Sequence, residues 1–279
     1  MKKLPIITLL ICYLFSFGQN KEMTFLDSIQ DLDQVFINTK VIFGSKYVAK
    51  NQSGSAYYLS SKDIEKFNYT DINRLLRNVP GVSLYEEDGF GLRPNISMRG
   101  TSPERSAKIS IMEDGILIAP APYSAPAAYY FPSIARMSAV EILKGSSQIQ
   151  YGPFTTGGAI NMVSTQIPNA FTGSLRSSFG SFNTHQTHVR LGDNKAQFGY
   201  AVEYLKNDSN GFKNLMDNKN TGFDKNDFVG KVQLRNKDNA KYKQALTLKF
   251  QYSDEVSNET YLGLTASDFN RNPFDRYSA

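Results

Sequence analysis

Few residues of this chain stand in the spacings that catalysis or metal binding needs. Gly152-Pro-Phe-Thr-Thr-Gly157-Gly158 has the glycines of a phosphate-cradling loop, but no Lys-Ser or Lys-Thr pair follows to meet the phosphates. Gly89-Phe-Gly-Leu-Arg-Pro94 lacks the third glycine of a dinucleotide-binding turn. Both read as tight turns. His185 and His188 are three residues apart, a spacing that on a strand points the two rings to opposite faces and away from a shared metal. Glu86-Glu87-Asp88 and Glu113-Asp114 set carboxylates side by side, yet each adjoins a glycine turn. No Ser/His/Asp or Cys/His set assembles. The expectation is a protein that is not an enzyme and holds no resident cofactor or metal.

The elements that would position these residues fall into two styles. Composition is ordinary for a folded chain, 41% hydrophobic and 20% charged, which excludes collagen, coiled coil and simple disorder. The net charge of +5 is spread rather than massed, so no nucleic-acid footprint is expected. Lys2 and Lys3 precede an apolar stretch, 4–17, too short to cross a bilayer and followed by Gly18, Gln19 and Asn20. Residues 1–19 therefore read as a cleaved secretory signal peptide. The single cysteine, Cys12, lies inside it and follows Leu10 and Ile11 rather than small residues, so neither lipidation nor a disulfide is expected.

Residues 20–50 form a polar leader with one β-prone stretch, 34–39. From 57 to 84 the pattern runs strand, helix, strand: Ser60 or Ser61 can cap a first helix, and Asp71 can cap a second with Ile72, Leu75, Leu76 and Val79 on one face. Glu113-Asp114-Gly115 between two apolar runs predicts a hairpin, and 140–144 and 159–163 are further short strands. Residues 51–168 thus read as a compact α+β domain. After 170 the strands lengthen and alternate. Tyr242, Leu246, Leu248, Phe250 and Tyr252 share one face of 242–252. Phe198, Tyr200, Val202 and Tyr204 share one face of 196–206, and Phe228, Val232 and Leu234 one face of 227–235, with weaker strands at 173–181 and 185–192. Alternation alone fits a sandwich or a membrane barrel equally. Strand length, tyrosines at both ends of the last strand, and tight turns set against long polar connections favour the barrel.

Four blocks carry a resemblance: LLRNVPGV (75–82), RPNISMRG (93–100), IMEDGILI (111–118) and VEILKGSSQIQYGPFTTGGAINMVST (140–165). In this order they resemble the plug domain of a TonB-dependent outer-membrane receptor. RGTSPERS (99–106), APAPYSAP (119–126) and SNETYLGL (257–264) look like the ferric citrate receptor branch. The resemblance implies an α+β plug domain followed by antiparallel transmembrane β-barrel strands. It implies an exported, outer-membrane protein importing an iron chelate with energy relayed by TonB, the iron being cargo. Family barrels have about 22 strands, whereas 169–279 supplies about five, so the chain is expected to be a fragment.

Within that frame the best match to the periplasmic TonB box is 33–39, namely Asp33, Val35, Phe36, Ile37, Asn38 and Thr39. A β-prone stretch suits strand addition, the lesser alternative being a first plug strand. Candidate substrate contacts are Arg99, Thr101, Arg105 and Lys108 in one plug loop and Tyr123 in another. Lumen-facing Arg176, Arg190, Lys231, Arg235, Lys243 and Lys249 outnumber the acids Glu203 and Asp227, which favours an anionic chelate. Alternatively Arg99 and Arg105 pair with Glu104, Glu113 or Asp114 and lock the plug. A passive outer-membrane adhesin, or a secreted carbohydrate-active β-protein, are the competing classes; the first would need neither TonB box nor plug.

Overall fold

The computed structural model describes residues 41–277 except 53, 119–124, 126, 128–129, 146–150, 152–155, 218, 238 and 259–261. The described residues fall within one compact unit, Gln34–Ala279. The signal peptide, the 33–39 stretch and Tyr123 lie outside them.

Local chemistry accounts for the first helices. Ser45 caps α1 (Lys46–Asn51). After β1 (Ser55–Ser60), Ser60 and Asp63 exchange the reciprocal bonds of a capping box at α2 (Ser61–Glu65). Asp71 caps α3 (Ile72–Leu76) by accepting from the amide of Asn73 at 2.7 Å. Both helices turn Ile64, Ile72, Leu75 and Leu76 inward. The hairpin β2 (Val82–Tyr85) with β3 (Asn95–Met98) follows, then β4 (Ile109–Glu113), β5 (Ile116–Leu117), β6 (Met137–Lys144) and β7 (Gly158–Ser164). Strands β1-β6-β7-β4-β5 make one sheet in that order, antiparallel except for the parallel β4–β7 pair. Side chains alternate across β6. Val140 and Ile142 enter the main core with Ile111, Ile160, Leu76 and Met98. Leu143 faces the other way and packs with Phe43 and Ala49.

The second sheet is an antiparallel meander: β8 (Thr172–Gly180), β9 (Thr184–Lys195), β10 (Phe198–Ser209), β12 (Phe223–Arg235) and β13 (Ala245–Ser257). Its strands reach 13 residues. Four of them, β9, β10, β12 and β13, run past the ends that alternation suggested. β12 begins at Phe223 and β13 ends at Ser257 because those two residues pair with each other across the ladder. The connection after β13 therefore starts beyond Ser257, and it contains α4 (Ala266–Arg271) and β14 (Asp275–Arg276), which pairs with β11 (Asn214–Leu215). The two faces differ as the alternation requires. Phe198, Val202, Tyr204, Phe228, Leu246, Leu248 and Phe250 are exposed on one, while Leu205, Lys225, Asp227, Val229 and Lys231 are buried on the other against the first domain. No helix of the described residues is long and apolar enough to cross a membrane.

Candidate functional site

The loop between β3 and β4 is held in an unusual backbone shape. Arg99, Arg105 and Ser106 take φ values of 53°, 50° and 55°, a region that disfavours side chains unless the surroundings impose it. The surroundings do impose it. The Asn95 side chain accepts from the Arg105 amide at 2.7 Å, and the buried Ser106 hydroxyl donates to Pro94 O while accepting from the Ile96 amide, both at 2.9 Å. The Thr101 hydroxyl is committed to Met98 O at 3.0 Å. Arg99, Arg105 and Lys108 are exposed, and no ion pair among the described residues involves them. The pairing of Arg99 or Arg105 with Glu104, Glu113 or Asp114 is thus absent among the described residues. Instead Arg99 lies beside Lys144, whose amine is pushed below the ordinary lysine value by burial and then by that like charge.

Glu113 and Asp114 have other partners. The fully buried Arg136 clasps Glu113 with two nitrogens, at 2.6 and 3.0 Å, and its Nε lies 3.7 Å from Asp227 on β12. Lys249 on β13 reaches Glu113 at 2.6 Å and Asp114 at 2.7 Å. Lys231 on β12 lies 3.8 Å from Asp114 and donates to Ser164 Oγ and Thr165 O, both at 2.7 Å. The Ser164 amide and hydroxyl both donate to Asp114. Burial alone would raise the two carboxyls, but bonds and charge from Arg136 and Lys249 hold Glu113 down at about 2. Lys231 and Lys249 do the same for Asp114, also at about 2. For Arg136 the cost of burial is outweighed by Glu113, so its guanidinium is held charged more firmly than usual.

This cluster narrows the expectation of a basic lumen, since three of its six cations meet acids. Lys231 and Lys249 do face inward, but the first domain's acids neutralise them; Arg176 likewise meets Glu65 of α2 at 3.2 Å. Further along, Lys225 donates to Phe131 O at 2.8 Å and pairs with Glu255, which also meets Arg93 at 2.6 Å. Arg136 carried no sequence signal of its own; adjacent acids at 113–114 demanding a cation were the only hint.

The two remaining clusters have structural partners. The Asp88 carboxylate accepts from the amides of Phe90, Gly91 and Arg93 at 2.6–2.7 Å and so shapes the glycine turn, while Glu86 pairs with Arg77. Gly91 there has φ 75° and lies against Asp71, where a Cβ would collide. Asp71 is buried, and burial raises its carboxyl to about 6, with Glu86 and Asp88 adding to the rise. His188 faces inward to Glu203 at 2.6 Å, whereas the ring of His185, exposed on the opposite face, lies 4.2 Å from that of Phe179. Among the described residues no group of three or more His, Cys, Asp or Glu could hold a metal.

Residues 48–159 match the TonB-dependent receptor plug domain family. Among solved structures, the unliganded ferric citrate transporter FecA shares 22% identity over 84% of this chain with a TM-score of 0.68. The ferric yersiniabactin uptake receptor FyuA of Yersinia pestis shares 20% over 74%, TM-score 0.58. The ferripyoverdine receptor of the outer membrane of Pseudomonas aeruginosa, bound to ferripyoverdine, shares 17% over 74%, TM-score 0.58. This chain spans 36%, 32% and 26% of those chains, respectively. Its second sheet is the matching run of antiparallel barrel strands.

Proposed function

Since the chain carries the plug domain of TonB-dependent receptors, we propose that it belongs to an outer-membrane receptor importing an anionic iron chelate by active transport. The observation that carries this reading is the way the plug is held. Its acids meet Lys231 and Lys249 on the inner face of a sheet whose outer face is apolar. A passive barrel has no use for a domain bound inside it by buried charge. Passage past such a plug requires breaking those contacts, and the energy has to come from outside the receptor.

In this proposal the 33–39 stretch pairs with TonB in the periplasm through backbone bonds. Arg99, Arg105 and Lys108, free of ion-pair partners among the described residues, meet the chelate together with Thr101 and Tyr123. Outer-membrane lipid covers the face bearing Leu246, Leu248 and Phe250. The structural neighbours are a ferric citrate transporter, a ferric yersiniabactin uptake receptor and a ferripyoverdine receptor, which supports an iron chelate as the ligand class.

The test is uptake of radio-iron as ferric citrate by cells making the full-length protein, with and without functional TonB. Phe36→Pro removes a backbone donor from the added strand and is expected to abolish uptake while leaving chelate binding intact. Uptake that persists without TonB would refute the active mechanism; normal uptake by Phe36→Pro would move the coupling segment elsewhere.

A further inference from the structure

One buried carboxylate holds the residues that follow the proposed coupling stretch. Glu141 stands mid-way along β6 and is fully buried, on the same strand face as Leu143. Its Oε2 accepts from the amide of Ile42 at 2.6 Å, and its Oε1 accepts from the amides of Phe43 and Gly44 at 2.8 Å each. Oε2 also accepts from Nδ2 of Asn161 at 2.8 Å, the residue directly opposite on β7. No ion pair among the described residues involves Glu141.

Placing an acid in the centre of a covered sheet is costly unless its acceptors are used. Here three of the four bonds go to a segment nearly a hundred residues away in sequence. The same segment is docked by apolar contact, Phe43 and Ala49 packing on Leu143, and Ser45 caps α1 immediately after it. Residues 42–49 therefore sit on this sheet face as one piece, with Glu141 as the polar anchor.

We propose that Glu141 is the positioning residue of the coupling step: it grips the root of the coupling stretch, so that tension applied at 33–39 enters the plug at the centre of β6. The proposal rests on reading the chain as an energy-coupled receptor. Thr39 and Ile42 are three residues apart, at most about 11 Å of extended chain. That is too little slack to absorb a pull before the amides of 42–44 feel it. The same strand starts at Met137, next to Arg136, whose contact with Asp227 on β12 helps hold the plug to the barrel wall. A single strand thus joins the root of the leader to the contacts that must break.

Glu141→Gln preserves volume but turns an amide NH2 toward groups that are themselves donors. In the full-length receptor, amide exchange at 42–44 is expected to be protected about a hundred-fold or more relative to an open chain. That protection should be lost in Glu141→Gln while β6 and β7 stay protected. Affinity for ferric citrate should change less than about two-fold, and TonB-dependent uptake should fall roughly ten-fold, as loss of charge-assisted bonds predicts. Glu141→Asp, which keeps the charge but shortens its reach, should fall between. Unprotected 42–44 amides in the unmodified receptor would overturn the proposal, as would unimpaired uptake by Glu141→Gln. Loss of chelate binding or of β6–β7 protection in that variant would make the residue merely structural and overturn it too. An unmodified receptor lacking TonB-dependent uptake would instead sink the functional reading, a failure visible before any variant is compared.

Discussion

Replacing Glu113 by Gln removes one charge from the plug–wall cluster while keeping its shape. The folded protein holds this carboxyl at about 2 against an ordinary 4.5. That difference corresponds to about 3 kcal/mol of plug stability, since each unit is worth about 1.4 kcal/mol. Solvent discounts it little, because the Glu113 side chain is only 7% exposed. The sign follows from the depressed value: the contribution is complete above pH 4.5 or so and is lost as pH falls toward 2. A second route gives a similar size. Removing one partner of a buried pair costs about 3–5 kcal/mol where the other charge is left alone, an upper bound here because Arg136 keeps Asp227 at 3.7 Å. Urea unfolding of the detergent-solubilised full-length protein, read by pulse proteolysis of the plug, measures the effect. Glu113→Gln should lie about 3 kcal/mol below the unmodified protein at pH 7, and the gap should close progressively below about pH 4.5. Unchanged stability at pH 7, or a gap of constant size down to pH 2, would refute the assignment of the pair as a net contributor.

Other expectations follow from the same geometry. Asp71, raised from 3.8 to about 6 by burial, binds its proton more tightly when folded, so it weakens the fold above about pH 6 and this weakening fades toward pH 4. Asp71→Asn keeps an N-cap side chain and should stabilise the plug by about 1–3 kcal/mol at pH 7 but not at pH 4 in the same urea assay; a pH-independent change would argue against burial as the cause. Leu248→Arg, outward on β13, should cost on the order of 2 kcal/mol and lower the folded yield in bilayers, whereas inward Thr247→Arg should be far milder; equal effects would contradict a lipid-facing sheet. Arg105→Ala should weaken binding of an anionic chelate by roughly 1.5–3 kcal/mol and reduce its salt sensitivity in titration calorimetry. Unchanged affinity for every anionic chelate bound would make Arg105 a structural residue.

What the sequence determined by itself is local. Ser60 and Asp71 announce helix starts because a cap is settled within three residues, and both cap as expected. Alternation assigns the exposed face of Phe198, Phe228 and Leu248 and sends His185 and His188 to opposite sides, because a strand's period of two needs no knowledge of its neighbours. Tertiary structure decided where charges end up. Glu113 and Asp114 look like turn acids, and Lys231 and Lys249 look like a lumen's open cations, until strands far apart in the chain bring them within 2.6–3.8 Å and each neutralises the other. Strand ends moved for a related reason: Phe223 and Ser257 extend β12 and β13 because each supplies the other's ladder partner. Glu141 is the clearest case. An acid between Val140 and Ile142 looks misplaced in a buried strand, and only the fold supplies the three amides of Ile42, Phe43 and Gly44 that make a charge tolerable there. Burial turns a charge from solvated to partner-dependent, and partners are chosen by the fold rather than by spacing along the chain.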